Sequence, residues 1–334
     1  MQKQANGSGI FTILTLMGVG TFLAAFLLGS SGVSINELLL MMKGEAKESI
    51  SIIFFSLRLP RAILAFVSGG ALSVAGVCLQ GMFKNPMADS YVVGVSSGAA
   101  LGATIALTFG FAFEFLGFGS ITIFAFIGAL GAIFIVYSLA KVNGKVSTFS
   151  LLLSGVAISA LTSALVYCMM IIFRDKMEHI VMWTMGSFSA SSWDKVVVSV
   201  PIMTVASVFC MLYARDLNIL LQGDEAARHL GVNPAVIRRN LLILTTVAAA
   251  SAVSVSGIIG FVGLIVPHIL RIISGPDHRR LIPLSFLGGG VFLLMADTIA
   301  RTALKNQEMP VGVITALVGV PFFLYLLRKG RKTV

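Results

Sequence analysis

The 334-residue sequence predicts an all-α, polytopic membrane protein with about ten transmembrane helices, built as a single domain over residues 1–334. Three observations predict it. Hydrophobic residues make up 57% of the chain and charged residues only 11%, at a mean hydropathy of +0.97, whereas soluble domains run roughly half apolar and a quarter charged. The apolar residues fall in runs of about 20, the length needed to cross a hydrocarbon core of ~30 Å. The basic residues are also distributed unevenly between alternate polar breaks, as they are when Lys and Arg accumulate on the cytoplasmic side.

The first apolar run, 10–28, is longer than a secretory-signal core and has no small-residue cleavage site behind it, so it reads as the first span. Further runs follow at 59–83, 91–113, 117–140, 148–173, 196–214, 240–275, 281–303 and 310–327. As one helix, 240–275 would be about 54 Å long, too long for a single crossing. It is expected to cross twice, turning near Ser256-Gly257 and breaking again at Pro267. With the N-terminus inside, the inner segments carry 15 basic and 5 acidic residues, the outer segments 9 of each. The formal net charge of +10 therefore sits on the inner face, and both termini are expected in the cytoplasm. That excludes nucleic-acid binding as its explanation. A single crossing of 240–275 would put Arg328–Lys332 outside, against the same pattern.

The longest inner loop, 215–238, lies between spans six and seven. Local rules write a pair of short helices there. Asp224 and Glu225 suit a first helical turn, Gly231 suits a stop, and Asn233 caps a new helix that has Pro234 at its first position. Ala226, Ala227 and Leu230 form a small apolar patch that a partner's groove could accept, although an interfacial helix resting on headgroups fits the same pattern.

Chemistry is otherwise scarce. Gly144-Lys145 is followed by Val146 and has no spaced glycine before it, so no phosphate loop is present. His179, His229, His268 and His278 fall in four separate segments without metal-ligand spacing, and no metal or cofactor is expected on this chain. Cys78, Cys168 and Cys210 read as buried small hydrophobes. Gly94, Gly98 and Gly102 leave one helix face bare for close packing. Trp183 and Trp193 suit an interfacial aromatic belt. Asp297 lies well inside a run, with Arg301 four residues later as its intrahelical partner.

Four stretches resemble one family. They are Arg58-Leu59-Pro60-Arg61 through Gly98-Ala99, including Lys84-Asn85-Pro86-Met87-Ala88-Asp89; the loop 223–231; Gly260-Phe261-Val262-Gly263 through Arg271; and Pro310-Val311-Gly312 through Phe323. In that order they are similar to the permeases of the iron-siderophore, haem and cobalamin ABC importers. The resemblance implies a multi-pass protein of a bacterial cell membrane in which two permeases, copies or relatives, flank one path. It implies two cytoplasmic ATPases that use ATP and grip Gly223, Asp224, Glu225, Ala226, Ala227, Leu230 and Gly231. It implies an extracellular or periplasmic binding protein whose acidic residues meet Arg58, Arg61 and Arg301, which read from the residues alone could also be arginines snorkelling at the boundary. Asn85, Pro86, Met87, Ser147 and Thr148 occupy positions like the family's cytoplasmic gate, and plain turns fit them equally.

The chain is thus expected to be a transport subunit, not an enzyme. Its expected cargo is a metal chelate, foremost a ferric siderophore, with haem or cobalamin as the alternatives. An ion-coupled secondary transporter is the rival from another class, and the shortage of buried acids in the spans counts against it.

Overall fold

The computed structural model describes residues 7–28, 40, 47–115, 117–142, 145–304 and 307–330. Of the charges that set the expected sidedness, Lys3, Glu37, Lys43, Glu45, Lys305, Arg331 and Lys332 lie outside the described residues. The described elements are α1 (Gly7–Leu27), α2 (Glu48–Ile52), α3 (Leu59–Phe83), α4 (Val95–Phe109), α5 (Ser120–Ala140), α6 (Thr148–Ile172), α7 (Met177–Thr184) and α8 (Trp193–Leu212). They continue as α9 (Ala214–Leu221), α10 (Asp224–His229), α11 (Pro234–Ser256), α12 (Val262–Ser274), α13 (His278–Thr302) and α14 (Val311–Gly330). Two small antiparallel ribbons join neighbours, β1–β2 (Glu114–Phe115, Phe118–Gly119) before α5 and β3–β4 (Lys141–Val142, Lys145–Val146) before α6.

Seven described helices are long and apolar enough to cross a membrane. Three shorter apolar helices, α4, α12 and most of α14, stand where the other expected spans fall. The first of them, α4, is short for a local reason. Lys84 adopts a left-handed conformation at the end of α3 (φ 49°), and Asn85 Oδ1 accepts from Met87 N at 2.9 Å. Helix therefore does not resume until Gly94, itself left-handed (φ 95°), hands over to α4. The expected helical stripe of three glycines is thus two, Gly98 and Gly102, with Gly94 as a hinge outside the helix.

The split of 240–275 occurs where expected. Gly257 (φ 71°) ends α11, and the chain runs without helix to Phe261. Pro267, however, does not break α12; it sits inside it. A proline leaves the carbonyl four residues earlier without its helical donor. Here that carbonyl belongs to Gly263, and Gln80 Nε2 of α3 donates to it at 2.9 Å while Arg271 donates to Gln80 Oε1 at 2.9 Å. The helix survives because a neighbour supplies the missing donor.

Helix α3 is the centre of the bundle. It continues a 36-residue helical stretch that begins at Glu48 and passes through a π-helical turn, Ile53–Arg58. Its most apolar window is 89% buried, whereas that of α1 is 17% buried. The run Ser68-Gly69-Gly70-Ala71 and, further on, Gly76 lets other backbones approach. A Cβ on Gly69 would lie 2.2 Å from the Gly289 carbonyl oxygen of α13, and one on Gly76 would lie 2.0 Å from that of Gly263 in α12. Gly102 stands against α5 in the same way, 1.9 Å from Phe124 O. In lipid, where apolar surface alone does not drive association, such contacts hold helices together. Cys78 and Cys210 are buried as expected, whereas Cys168 is exposed on α6 because that helix turns its middle outward.

Adding one methyl at the α3–α12 crossing tests this centre. Gly76→Ala is expected to destabilise the protein by about 1–3 kcal/mol, the usual range for overpacking, whereas Gly20→Ala, with nothing within 4 Å, is expected to leave thermal unfolding in detergent unchanged or slightly raised. Equal unfolding temperatures for the two variants would refute the crossing as a tight contact.

Candidate functional site

Two non-helical segments meet at one cavity. The first, 84–94, is buried at Ala88, Asp89, Ser90 and Val93 and satisfies itself through Ala88 N to Asn85 O, Val92 N to Asp89 O and Gly94 N to Tyr91 O. The second, 257–261, is held by the loop after α7 and the start of α14. Ser187 N donates to Ser256 O at 2.7 Å, Val311 N to Gly186 O at 2.9 Å and Gly312 N to Met185 O at 3.1 Å. Only glycine fits there. Gly186 is left-handed (φ 74°) and a Cβ would lie 2.5 Å from Ile258 O, while a Cβ on Gly312 would lie 2.3 Å from Met185 O. Irregular backbone at membrane depth is tolerated only where protein or a cavity covers it, and both conditions hold.

The cavity is about 830 Å³, within the range of small-molecule sites. Asp89, Tyr91 and Val92 line it from the first segment, Ile258, Gly260 and Phe261 from the second, and Met185, Gly312, Leu317 and Val320 from the remaining sides. Its wall is almost wholly apolar, and Asp89 is its one charged residue. Asp89 is 5% exposed, and its Oδ1 accepts from Ser90 N at 2.8 Å and Ser90 Oγ at 3.3 Å. Sequence reasoning counted Asp89 among the inner-loop acids and named it and Phe261 only within the stretches of family resemblance, without a site role, and passed over Gly186 and Met185. Phe261, left-handed at φ 69° without being glycine, has no local sequence signature.

One end of the bundle carries the arginines predicted for docking. All three are drawn inward. Arg61 is 9% exposed and forms fork contacts with Asp297, Nε to Oδ2 at 3.0 Å and Nη2 to Oδ1 at 2.9 Å; its Nη1 reaches Glu308 Oε2 at 2.8 Å. Arg301 pairs with Asp297 at 3.8 Å along α13, as expected from the spacing, and also donates to Ala25 O; Arg58 donates to Phe26 O. The intrahelical pair is therefore the weaker side of a network whose centre is the inter-helix contact to Arg61. Glu308, with its side chain 44% exposed, is the network's outward member.

The opposite end carries the loop 215–238. The expected helix forms over Asp224–His229 and closes as a Schellman turn, with Val232 N donating to Ala227 O at 2.9 Å, Gly231 N donating to Arg228 O at 3.0 Å, and Gly231 left-handed at φ 79°. Asn233 Oδ1 caps α11 by accepting from Ala235 N at 3.1 Å. Arg238 grips the Asp224 carboxylate at 2.7 and 2.8 Å, and this contact holds the acid below its ordinary range. The pair is therefore intact above pH ~4 and is lost only as pH falls through the lowered value. Preceding it, α9 is tied to the start of α13, because Asn218 Nδ2 donates to Asp277 Oδ1 at 2.7 Å. The apolar patch divides: Ala227 is buried and anchors the helix, while Glu225 and Leu230 are exposed.

The predicted gate residues lie at this same end. Asn85, Pro86 and Met87 form the turn leaving α3, with Met87 40% exposed, and Ser147 caps α6 by accepting from Ser150 N at 3.0 Å. Ser147 and Thr148 line a second cavity of about 430 Å³ beside Asp224 and the end of α3. The structure thus brings Ser147 and Thr148 to the loop 215–238, while the large cavity takes only the later part of the 84–94 segment.

Comparison with known proteins agrees with this architecture. The chain is 46% identical over 286 residues to the cobalamin import system permease protein BtuC of Halobacterium salinarum, covering 84% of this chain and 74% of that one. It is 42% identical over 282 residues to the hemin transport system permease protein HmuU of Yersinia pestis, covering 84% of each. A solved structure titled as an inward-facing metal-chelate type ABC transporter superposes with a TM-score of 0.86 at 32% identity, covering 97% of this chain and all of that one. The model of the FecCD transport family matches residues 14–329, and the chain belongs to that family of ABC transporter permeases.

Proposed function

We propose that this permease takes a bulky metal chelate from a binding protein at the arginine end and passes it inward. The observation that carries the reading is the apolar cavity of about 830 Å³ walled by two non-helical segments, a volume suited to a chelate and a backbone arrangement suited to rearrangement. A ferric siderophore is the cargo proposed from the sequence. Cobalamin is the competing cargo, since a relative at 46% identity is named for its import. Competitive uptake of a labelled ferric siderophore and labelled cobalamin by a deletion strain carrying this gene with its partner genes separates the two. Siderophore uptake displaced by neither unlabelled compound would discard both.

Partner ATPases are proposed to grip the loop 223–231 at the exposed Glu225 and Leu230, with Ala227 and the Asp224–Arg238 pair transmitting force into α11. Glu225→Ala is expected to lower coupled transport with little change in basal ATP hydrolysis. Asp224→Asn, which loosens α10 from α11, is expected to do the same without removing an exposed contact. Full coupled transport in both variants would sink the assignment.

The arginine end is proposed to receive the binding protein by exchange of carboxylates, an incoming acid displacing the outward Glu308 from Arg61. Glu308→Gln is expected to strengthen association at low salt, by up to about fivefold for one exposed charge pair, and the gain is expected to vanish at high salt. Arg61→Ala leaves Asp297, 1% exposed, partly uncompensated and is expected to reduce folded yield, at about 3–5 kcal/mol for a broken buried pair. Unchanged affinity in Glu308→Gln at every salt concentration would refute the exchange.

Both termini are proposed to be cytoplasmic. In a Cys168→Ser background, His229→Cys is expected to react with a membrane-impermeant maleimide only in inside-out vesicles, and Lys176→Cys only in right-side-out cells. The reverse pattern would invert the topology.

A further inference from the structure

The cavity of about 430 Å³ beside the coupling loop has two kinds of wall. Its floor is apolar, made by Phe83 of α3, Leu151 of α6 and Leu242 of α11, and its mouth carries Arg228 and Arg239. The Asp224 carboxylate is already taken by Arg238 at 2.7 and 2.8 Å. Arg228 and Arg239 are exposed and have no hydrogen bond or ion pair among the described residues. Lys84 is close enough to act on Asp224 as well. Three cations, Arg238, Arg228 and Lys84, thus act on a single carboxylate, itself engaged, and the guanidiniums of Arg228 and Arg239 are left over a space that Ser147 and Thr148 also line.

We infer that this cavity binds the phosphate of an anionic glycerophospholipid, with Arg228 and Arg239 on the phosphate and the start of an acyl chain on the Phe83, Leu151 and Leu242 floor. Guanidinium forks match phosphate oxygens, and basic pockets between spanning helices on the cytoplasmic side hold anionic headgroups. Free phosphate would meet the same arginines but leave the apolar floor without an occupant. The bound lipid would bridge the coupling helix to Ser147–Thr148, so that the loop and the α6 start move as one unit. Placement in the inner leaflet rests on the topology proposed above, which the maleimide labelling tests by itself; binding to the cavity does not depend on it.

Native mass spectrometry of the full-length permease, purified with its partner subunits and exposed to phosphatidylglycerol or phosphatidylcholine, tests the site. Phosphatidylglycerol is expected to be retained in preference to phosphatidylcholine. The double variant Arg228→Gln/Arg239→Gln is expected to bind it about thirtyfold more weakly, from the usual contribution of two surface cations, while Arg228→Lys/Arg239→Lys keeps the preference. Equal retention of the two lipids by the unaltered protein, undiminished binding by the Gln variant, or displacement of the lipid by equimolar inorganic phosphate would each overturn the assignment.

Discussion

In a hydrocarbon environment every backbone donor and acceptor must find a partner inside the protein. This constraint orders the whole molecule. A bundle of unbroken helices satisfies it trivially and has no path; a path needs breaks, and each break exposes groups that something else must cover. Here α3 is the cover. Its side chains are stripped to Gly, Ala and Ser where neighbours cross, so that α12 and α13 come close enough for backbone to meet backbone. Gln80 then reaches the one carbonyl that Pro267 leaves open. The same helix that gives stability therefore permits irregularity beside it.

The breaks are paired across the bundle. One ends α3 and delays α4; the other separates α11 from α12, packs against Gly186 and Gly312, and is tied at its start by Ser187 N donating to Ser256 O. Both open onto the larger cavity, and each is held by a few hydrogen bonds instead of a continuous ladder. Segments held this way have low local stability relative to the helices around them. Motion in such a bundle is cheapest at these segments, and the rigid contacts of α3 confine it there.

Much of this was legible beforehand, and the reason differs by element. Span lengths follow from composition alone, and the caps of the coupling loop follow from local rules, since Gly231 and Asn233 act on their own backbone within a few residues. The break at Gly257 was readable because a 36-residue run exceeds the membrane. The persistence of α12 through Pro267 was not, because the compensating donor, Gln80, is 183 positions away in sequence. Likewise the i,i+4 spacing announced Arg301 as the partner of Asp297, yet the closer partner is Arg61, 236 positions distant. The left-handed backbone of Phe261 and Gly186 was not readable because it is imposed by tertiary contacts, not by their neighbours in the chain.

The two ends of the bundle solve opposite electrostatic problems. At the arginine end, three inward-drawn cations face two carboxylates, and backbone carbonyls of α1 accept from Arg58 and Arg301. Buried charge left unpaired is far more expensive than exposed charge, so this network is drawn in upon itself, and of its members Glu308 is the one that faces out. At the end that carries the loop 215–238 the cations outnumber the acids and several are exposed, which the surrounding water screens at little cost. Such an end is not closed. It holds its own loop through the Asp224–Arg238 pair and the Asn218–Asp277 hydrogen bond, and leaves most of its positive charge for whatever anionic surface lies against it. The asymmetry seen as a bare count of Lys and Arg along the sequence thus becomes a difference in kind: the buried arginine network keeps its charges for itself, and the opposite end presents its own.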